Sequence, residues 1–210
     1  MRTFVMPLII TLLLGLFNVA SGVDIIKIEE DWSLEVGEPN LAVNAPQVSL
    51  VMSPYEDLDS HFFMFLVNYR THPGYIAGGC QVQCWLADAV EEYRNGTNTS
   101  PLETTSETVS WTQVMCVSNT GVVSFEVKNG TSSSWGGFGG QGLLKTSVAT
   151  GQSNLNSYRP QISLLQSGIG YAGNRVASLT IQRIAWHMSD GQVYTLTAPI
   201  DIDSDLDPWE

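Results

Sequence analysis

Residues 24–30, DIIKIEE, decide the fold class. Apolar and charged side chains alternate there with a period of two, which suits a half-buried strand and does not suit a helix. The same alternation recurs in Gln47–Met52, His61–Asn68, Cys80–Leu86 and Ser110–Val117. It continues through Val122–Val127, Leu143–Ala149, Gln161–Leu165, Val176–Trp186 and Val193–Ala198. Turn signals separate these runs: HPG at His72, NGT at Asn95, NTG at Asn119, NG at Asn129 and SDG at Ser189. Ala87–Arg94 (ADAVEEYR) reads either as two helical turns or as a strand end plus loop. About ten strands without crossover helices predict an all-β protein, a single antiparallel β-sandwich of jelly-roll-like form with little helix.

The ends of the chain carry a different pattern. Met1 and Arg2 precede an apolar run, Leu8–Phe17, and then the small residues Ala20, Ser21 and Gly22. That run is too short to span a bilayer and has the layout of a secretory signal peptide. The expected organisation is a signal peptide over 1–21, a β-sandwich domain over 22–200 and an acidic tail over 201–210. A secreted, periplasmic or cell-surface location follows, with no transmembrane segment. No linker divides the domain, and Thr97–Glu107 reads as a polar loop. Sequons stand at Asn95, Asn98 and Asn129, all in predicted turns.

Charge and cysteine content narrow the partners. Nine Lys and Arg oppose 21 Asp and Glu, a net charge of −12 that repels nucleic acid and anionic membranes. The charge is polarised: residues 22–107 carry 3 basic and 14 acidic groups, residues 108–200 carry 5 and 2, and the tail adds five acidic groups. This asymmetry permits self-association head to tail. Cys80, Cys84 and Cys116 are an odd number, so one pair at most forms. Four residues of strand hold Cys80 and Cys84 about 13 Å apart, which leaves pairing of either with Cys116, or three buried free thiols.

Several fragments together carry a resemblance: IKIEEDWSLEVGEPN (26–40), APQVSLVMSP (45–54), GGCQVQCWL (78–86), SWTQVM (110–115), 129–150 and 157–191. The chain resembles a group of secreted planctomycete-type bacterial proteins of unknown function, which implies export and unused sequons but no activity. GNRVASLTIQRIAWHMSDG (173–191) is similar to the closing strands of concanavalin-like or laminin-G-like jelly rolls.

Motifs for catalysis are sparse. Gly137–Gly142 satisfies G-x-G-x-x-G, but the residues after it alternate like a strand, so the motif reads as a loop where two backbone segments approach closely. No E-x-D-x-x-E run provides a glycosidase carboxylate pair. His61, His72 and His187 lie without a nucleophile elbow. Asp57, Asp59 and His61 share one face of an extended segment and suit Ca²⁺, the one cofactor the sequence suggests. The tail repeats the device with Asp201, Asp203, Asp205 and Asp207.

Trp135, set among small residues in SSSWGGF, either presents a flat face to a sugar ring or caps the core. Tyr158 and Tyr171 are predicted on the same rim, with Asn156 and Asn174 as hydrogen-bonding amides. The expected function is an exported, non-catalytic module that binds a glycan or a surface protein through these loops. The alternatives are a structural subunit of an extracellular assembly and, third, a carbohydrate-active enzyme without a recognisable motif.

Overall fold

The alternation that begins at residue 24 runs further than those seven residues. Strand β1 spans Ile25–Val36, with Ile28, Trp32, Leu34 and Val36 turned inward and fully or almost fully buried. The computed structural model describes residues 22–37, 47–68, 79–97, 102, 106–171, 175–197 and 199–201.

Among the described residues, thirteen strands form two antiparallel sheets packed face to face, with one short helix beside them. The smaller sheet comprises β2 (Gln47–Met52), β3 (His61–Val67), β4 (Cys80–Leu86), β5 (Ala89–Asn95) and β10 (Gly168–Tyr171), in the order β10-β2-β3-β4-β5. The larger sheet is built on β1 with β6 (Thr108–Val117), β7 (Val122–Ser132), β8 (Gly136–Phe138), β11 (Val176–Met188) and β12 (Val193–Leu196). Its order is β12-β11-β1-β6-β7-β8; β9 (Lys145–Ala149) adds to β7 and β13 (Ile200–Asp201) to β11. The sandwich expected from the periodicity is therefore the fold; among the described residues β5, β8, β10 and β13 are strands that the alternation does not mark.

Aromatic rings close the space between the sheets. Phe63 of β3 stacks on Phe125 of β7 with centroids 5.4 Å apart, and Phe65 meets Trp111 of β6 edge-on at 5.5 Å. Such pairs contribute about 0.5–1.5 kcal/mol each beyond the area they bury. Two glycines let the β7–β8 hairpin close. A Cβ on Gly130 would lie 2.3 Å from the Phe138 ring, and one on Gly139, at φ +73°, would lie 2.5 Å from the Val127 carbonyl. The G-x-G-x-x-G segment is thus a close backbone approach, as its strand-like sequel suggested.

Two segments differ from the sequence reading. Ala87–Arg94 is no helix: Ala87 turns the chain at φ +48° and Ala89–Asn95 pairs along β4. Pairing satisfies a whole row of backbone groups, which outweighs a two-turn helix too short to be stable alone. Conversely Gln161–Leu165 is no strand; it lies in α1 (Pro160–Gln166). Pro160 fixes a helical φ at the first position, while Arg159 before it is extended at φ −129°, ψ 116°. The three thiols are free. Cys80 and Cys84 point into the core, whereas Cys116 pairs in register with Lys27 on the opposite, outer face of the larger sheet, so the disulfide alternative is not realised.

Candidate functional site

The structure buries the aromatic residues expected at a loop rim. Trp135 is 8% exposed, belongs to the core and meets Phe138 edge-on at 5.3 Å. Of its two readings, the cap is the one realised. Tyr158 is 3% exposed and directs its hydroxyl inward. Asn156 lies at the surface, but its side chain latches the start of β1: Oδ1 accepts from the Ile25 N–H and Nδ2 donates to Asp24 Oδ1, both at 2.8 Å. Tyr171 closes β10 by pairing with Gln47, and Asn174 lies outside the described residues. No exposed aromatic platform forms from Trp135 and Tyr158.

The acidic set also stays apart. Asp57 Oδ1 accepts from the Asp59 N–H at 3.2 Å, and His61 Nε2 bonds Glu91 Oε2 at 3.0 Å. Among the described residues no group of three or more His, Cys, Asp and Glu side chains is placed to hold a metal ion. Asp201 lies in β13, and Asp203, Asp205 and Asp207 lie outside the described residues.

A different aromatic arrangement stands on the outer face of the smaller sheet. The alternation of β4 sends Cys80, Val82 and Cys84 into the core and Gln81, Gln83 and Trp85 to the other side. These three form a file of side-chain hydrogen bonds. Trp85 Nε1 donates to Gln83 Oε1 at 2.7 Å, Gln83 Nε2 to Gln81 Oε1, and Gln81 Nε2 to Asn95 Oδ1 at 2.8 Å. Phe62, opposite Trp85 on β3, backs the indole with centroids 6.0 Å apart and planes within 13°. Gln81 and Gln83 are fully enclosed, Trp85 is half-buried, and Tyr93, opposite Gln83 on β5, is exposed. The arrangement holds one indole in a single orientation at the point where the file meets solvent. In the sequence the file was visible as polar and aromatic residues two apart, but which face they occupied was not.

The interior holds a second feature that the sequence reading passed over. Glu30 shares the inward register of Ile28 and Trp32 and is fully buried. Oε1 accepts from the Tyr158 hydroxyl at 2.6 Å and the Ser163 hydroxyl at 2.5 Å, and Oε2 accepts from Trp32 Nε1 at 3.0 Å. Burial pushes the Glu30 carboxyl above its ordinary value, against the opposing effect of the three donors. Burial and then the neighbouring Glu30 likewise push Tyr158 well above its ordinary value. Enclosed on all sides, this carboxyl fastens β1 to the loop at residue 158 and to α1. The signal for it was an acid at a core position of an alternating strand.

No family model matches the chain, and no curated protein matches it. Among solved structures the chain is similar to Scytalido-glutamic peptidase in complex with a peptide-based transition-state analogue. The identity is 10%, over 86% of this chain and 79% of that one, with a TM-score of 0.35. A likeness at that level carries no argument about the site.

Proposed function

We propose that the protein is an exported, non-catalytic module that binds a glycan or another cell-surface polymer, and that its platform is Trp85 on the outer face of the smaller sheet. The observation that carries this reading is the indole backed by Phe62 and tied through Nε1 to Gln83, with Tyr93 exposed opposite Gln83. A ring held in one orientation before binding loses little freedom when a flat, apolar sugar face stacks on it. The leader-like layout of residues 1–21 supports export.

Affinity electrophoresis of the full chain against neutral and acidic polysaccharides tests the reading. Retention by at least one polymer is expected, reduced about tenfold or more in a Trp85→Ala variant that still unfolds cooperatively. Equal retention of Trp85→Ala and wild type, or no retention on any polymer, overturns it.

The second reading, a subunit of an extracellular assembly, draws on a separate feature. β12 is a four-residue edge strand of the larger sheet, and Val193 and Tyr194 on it are 49% and 44% exposed. Edge strands offer unpaired backbone groups to a neighbour. A strictly monomeric species in size exclusion at high concentration removes that reading.

A further inference from the structure

Two central strands of the larger sheet carry the same device on their inner faces, an indole and a polar side chain two residues apart. On β1 these are Trp32 and Glu30; on β6 they are Trp111 and Gln113. The register sets Glu30 opposite Gln113 and Trp32 opposite Trp111, and the two indoles lie parallel within 2° at 6.3 Å. On β1 the device is closed, because Trp32 Nε1 donates directly to Glu30 Oε2. On β6 it is open. Trp111 Nε1, Gln113 Nε2 and Gln113 Oε1 are enclosed and meet no hydrogen-bonding group.

Gln113 is fully buried and Trp111 is 2% exposed, so neither reaches bulk solvent. Three such atoms in adjacent side chains depart sharply from the rule that buried polar groups are paired, with protein or with ordered water. Directly opposed residues on paired strands bring Cβ atoms within about 4.5–5.5 Å, and Glu30 stands directly opposite Gln113. Together these neighbouring side chains carry an N–H donor (Trp111), a carbonyl acceptor and an amide donor (Gln113), and a carboxyl (Glu30). A water molecule asks for two to four such partners.

We propose that Gln113, Trp111 and Glu30 enclose an internal water site in the middle of the sandwich, and that this water closes on β6 the link that Trp32 and Glu30 close directly on β1. Water is the occupant because the enclosed atoms are two donors and an acceptor; a purely apolar guest would leave all three unpaired. The site is separate from the Trp85 platform, which lies on another sheet and another face.

Water-selective NMR on the 15N-labelled full chain provides the test. The Trp111 indole N–H is expected to show a cross-peak to water of the sign that marks residence longer than a nanosecond. Ser163→Ala and Tyr158→Phe should each retain it, which separates bound water from relay through either of the two exchanging hydroxyls on Glu30. Gln113→Met should lose it without any rise in thermal midpoint. A Trp111 indole without the water cross-peak overturns the proposal and needs no variant. So does a Gln113→Met protein that keeps the cross-peak, or whose midpoint rises by several degrees, as removal of a dry, unpaired amide predicts.

Discussion

Glu29 and Asp31 stand on the outer face of the larger sheet, and Glu30 between them stands on the inner face. Glu29 receives Lys27 Nζ at 2.7 Å and an Arg183 guanidinium nitrogen at 3.1 Å, while Asp31 receives Arg183 Nε at 2.6 Å and the Thr112 hydroxyl at 2.8 Å. Partial burial pushes the Glu29 carboxyl up, but the Lys27 and Arg183 contacts, aided by His187, outweigh it and hold the group at about 2. Glu30 has two hydroxyls and an indole instead of cations, and burial carries its carboxyl upward. One residue of strand therefore separates a carboxylate held charged from a carboxyl driven towards its neutral form. The difference comes from the alternation of side chains along an extended chain, since neighbours on a strand face different solvents.

Removing the inner carboxyl should break the fold far more than removing an outer one. Glu30→Ala leaves the Tyr158, Ser163 and Trp32 donors unpaired and opens a cavity, and should cost about 3–5 kcal/mol in urea unfolding. Asp31→Ala on the outer face should cost about 1 kcal/mol or less. Equal losses would mean that the two faces do not differ as described.

The pH dependence sharpens the same contrast. Glu30 binds its proton more tightly in the folded chain than at the ordinary value of 4.5. Its contribution is thus fully present below about pH 4.5 and is lost as pH rises through the folded value. Glu30→Gln, which cannot ionise, should escape that loss, so urea midpoints should show wild type declining relative to the variant from about pH 4.5 to pH 8. A constant difference across this range would show that folding leaves the proton affinity of Glu30 unshifted.

How much of this contrast could be read beforehand depends on the range of the interactions. The alternation of 24–30 named the sandwich, and it also set Glu30 in line with Ile28 and Trp32. What makes that position tolerable was not local: the Tyr158 and Ser163 hydroxyls arrive from 128 and 133 residues away. Ala87–Arg94 misled because good helix formers on a short segment yield to a strand partner, whereas Pro160 was a usable helix start overlooked beside the apolar spacing of 161–165. Trp135 among glycines suited either a platform or a cap; the edge-on contact with Phe138 decides between them, and sequence spacing does not encode that contact. The Trp85 file was legible as residues two apart on β4, and the apolar Cys80, Val82 and Cys84 between them mark the opposite face as core. That Gln81 and Gln83 would be enclosed as well was not encoded in that spacing.

The thiols divide along the same line. Burial pushes Cys80 and Cys84 up to about 12, with Glu91 and Glu92 adding to the effect at Cys84. Cys116 is also raised, but it lies half-buried beside Lys27 on the outer face. A thiol reagent should label Cys116 first and the other two only on unfolding, as peptide mapping would show. Cys84→Ser puts a hydroxyl into the core and should cost about 1–2 kcal/mol, against about 0.5 kcal/mol or less for Cys116→Ser.

Glu29→Gln is among the smallest of these effects and is the most direct check on the outer face. The folded Glu29 carboxyl titrates near 2, below its ordinary value of 4.5, so its contribution is present above about pH 4.5 and is lost as pH falls through about 2. Solvent around the pair limits that contribution to about 0.2–1 kcal/mol, and salt at about 1 M should reduce it further. Urea midpoints of wild type and Glu29→Gln should therefore converge as the solution is acidified, and should already lie closer together in high salt. The Glu30→Gln difference should instead change on the alkaline side of 4.5 and show little response to salt, because its partners carry no charge. Midpoints that move with pH in the same sense for both variants would place the two carboxyls in like environments. The assignment of adjacent residues on β1 to opposite faces would then fail at its most sensitive point.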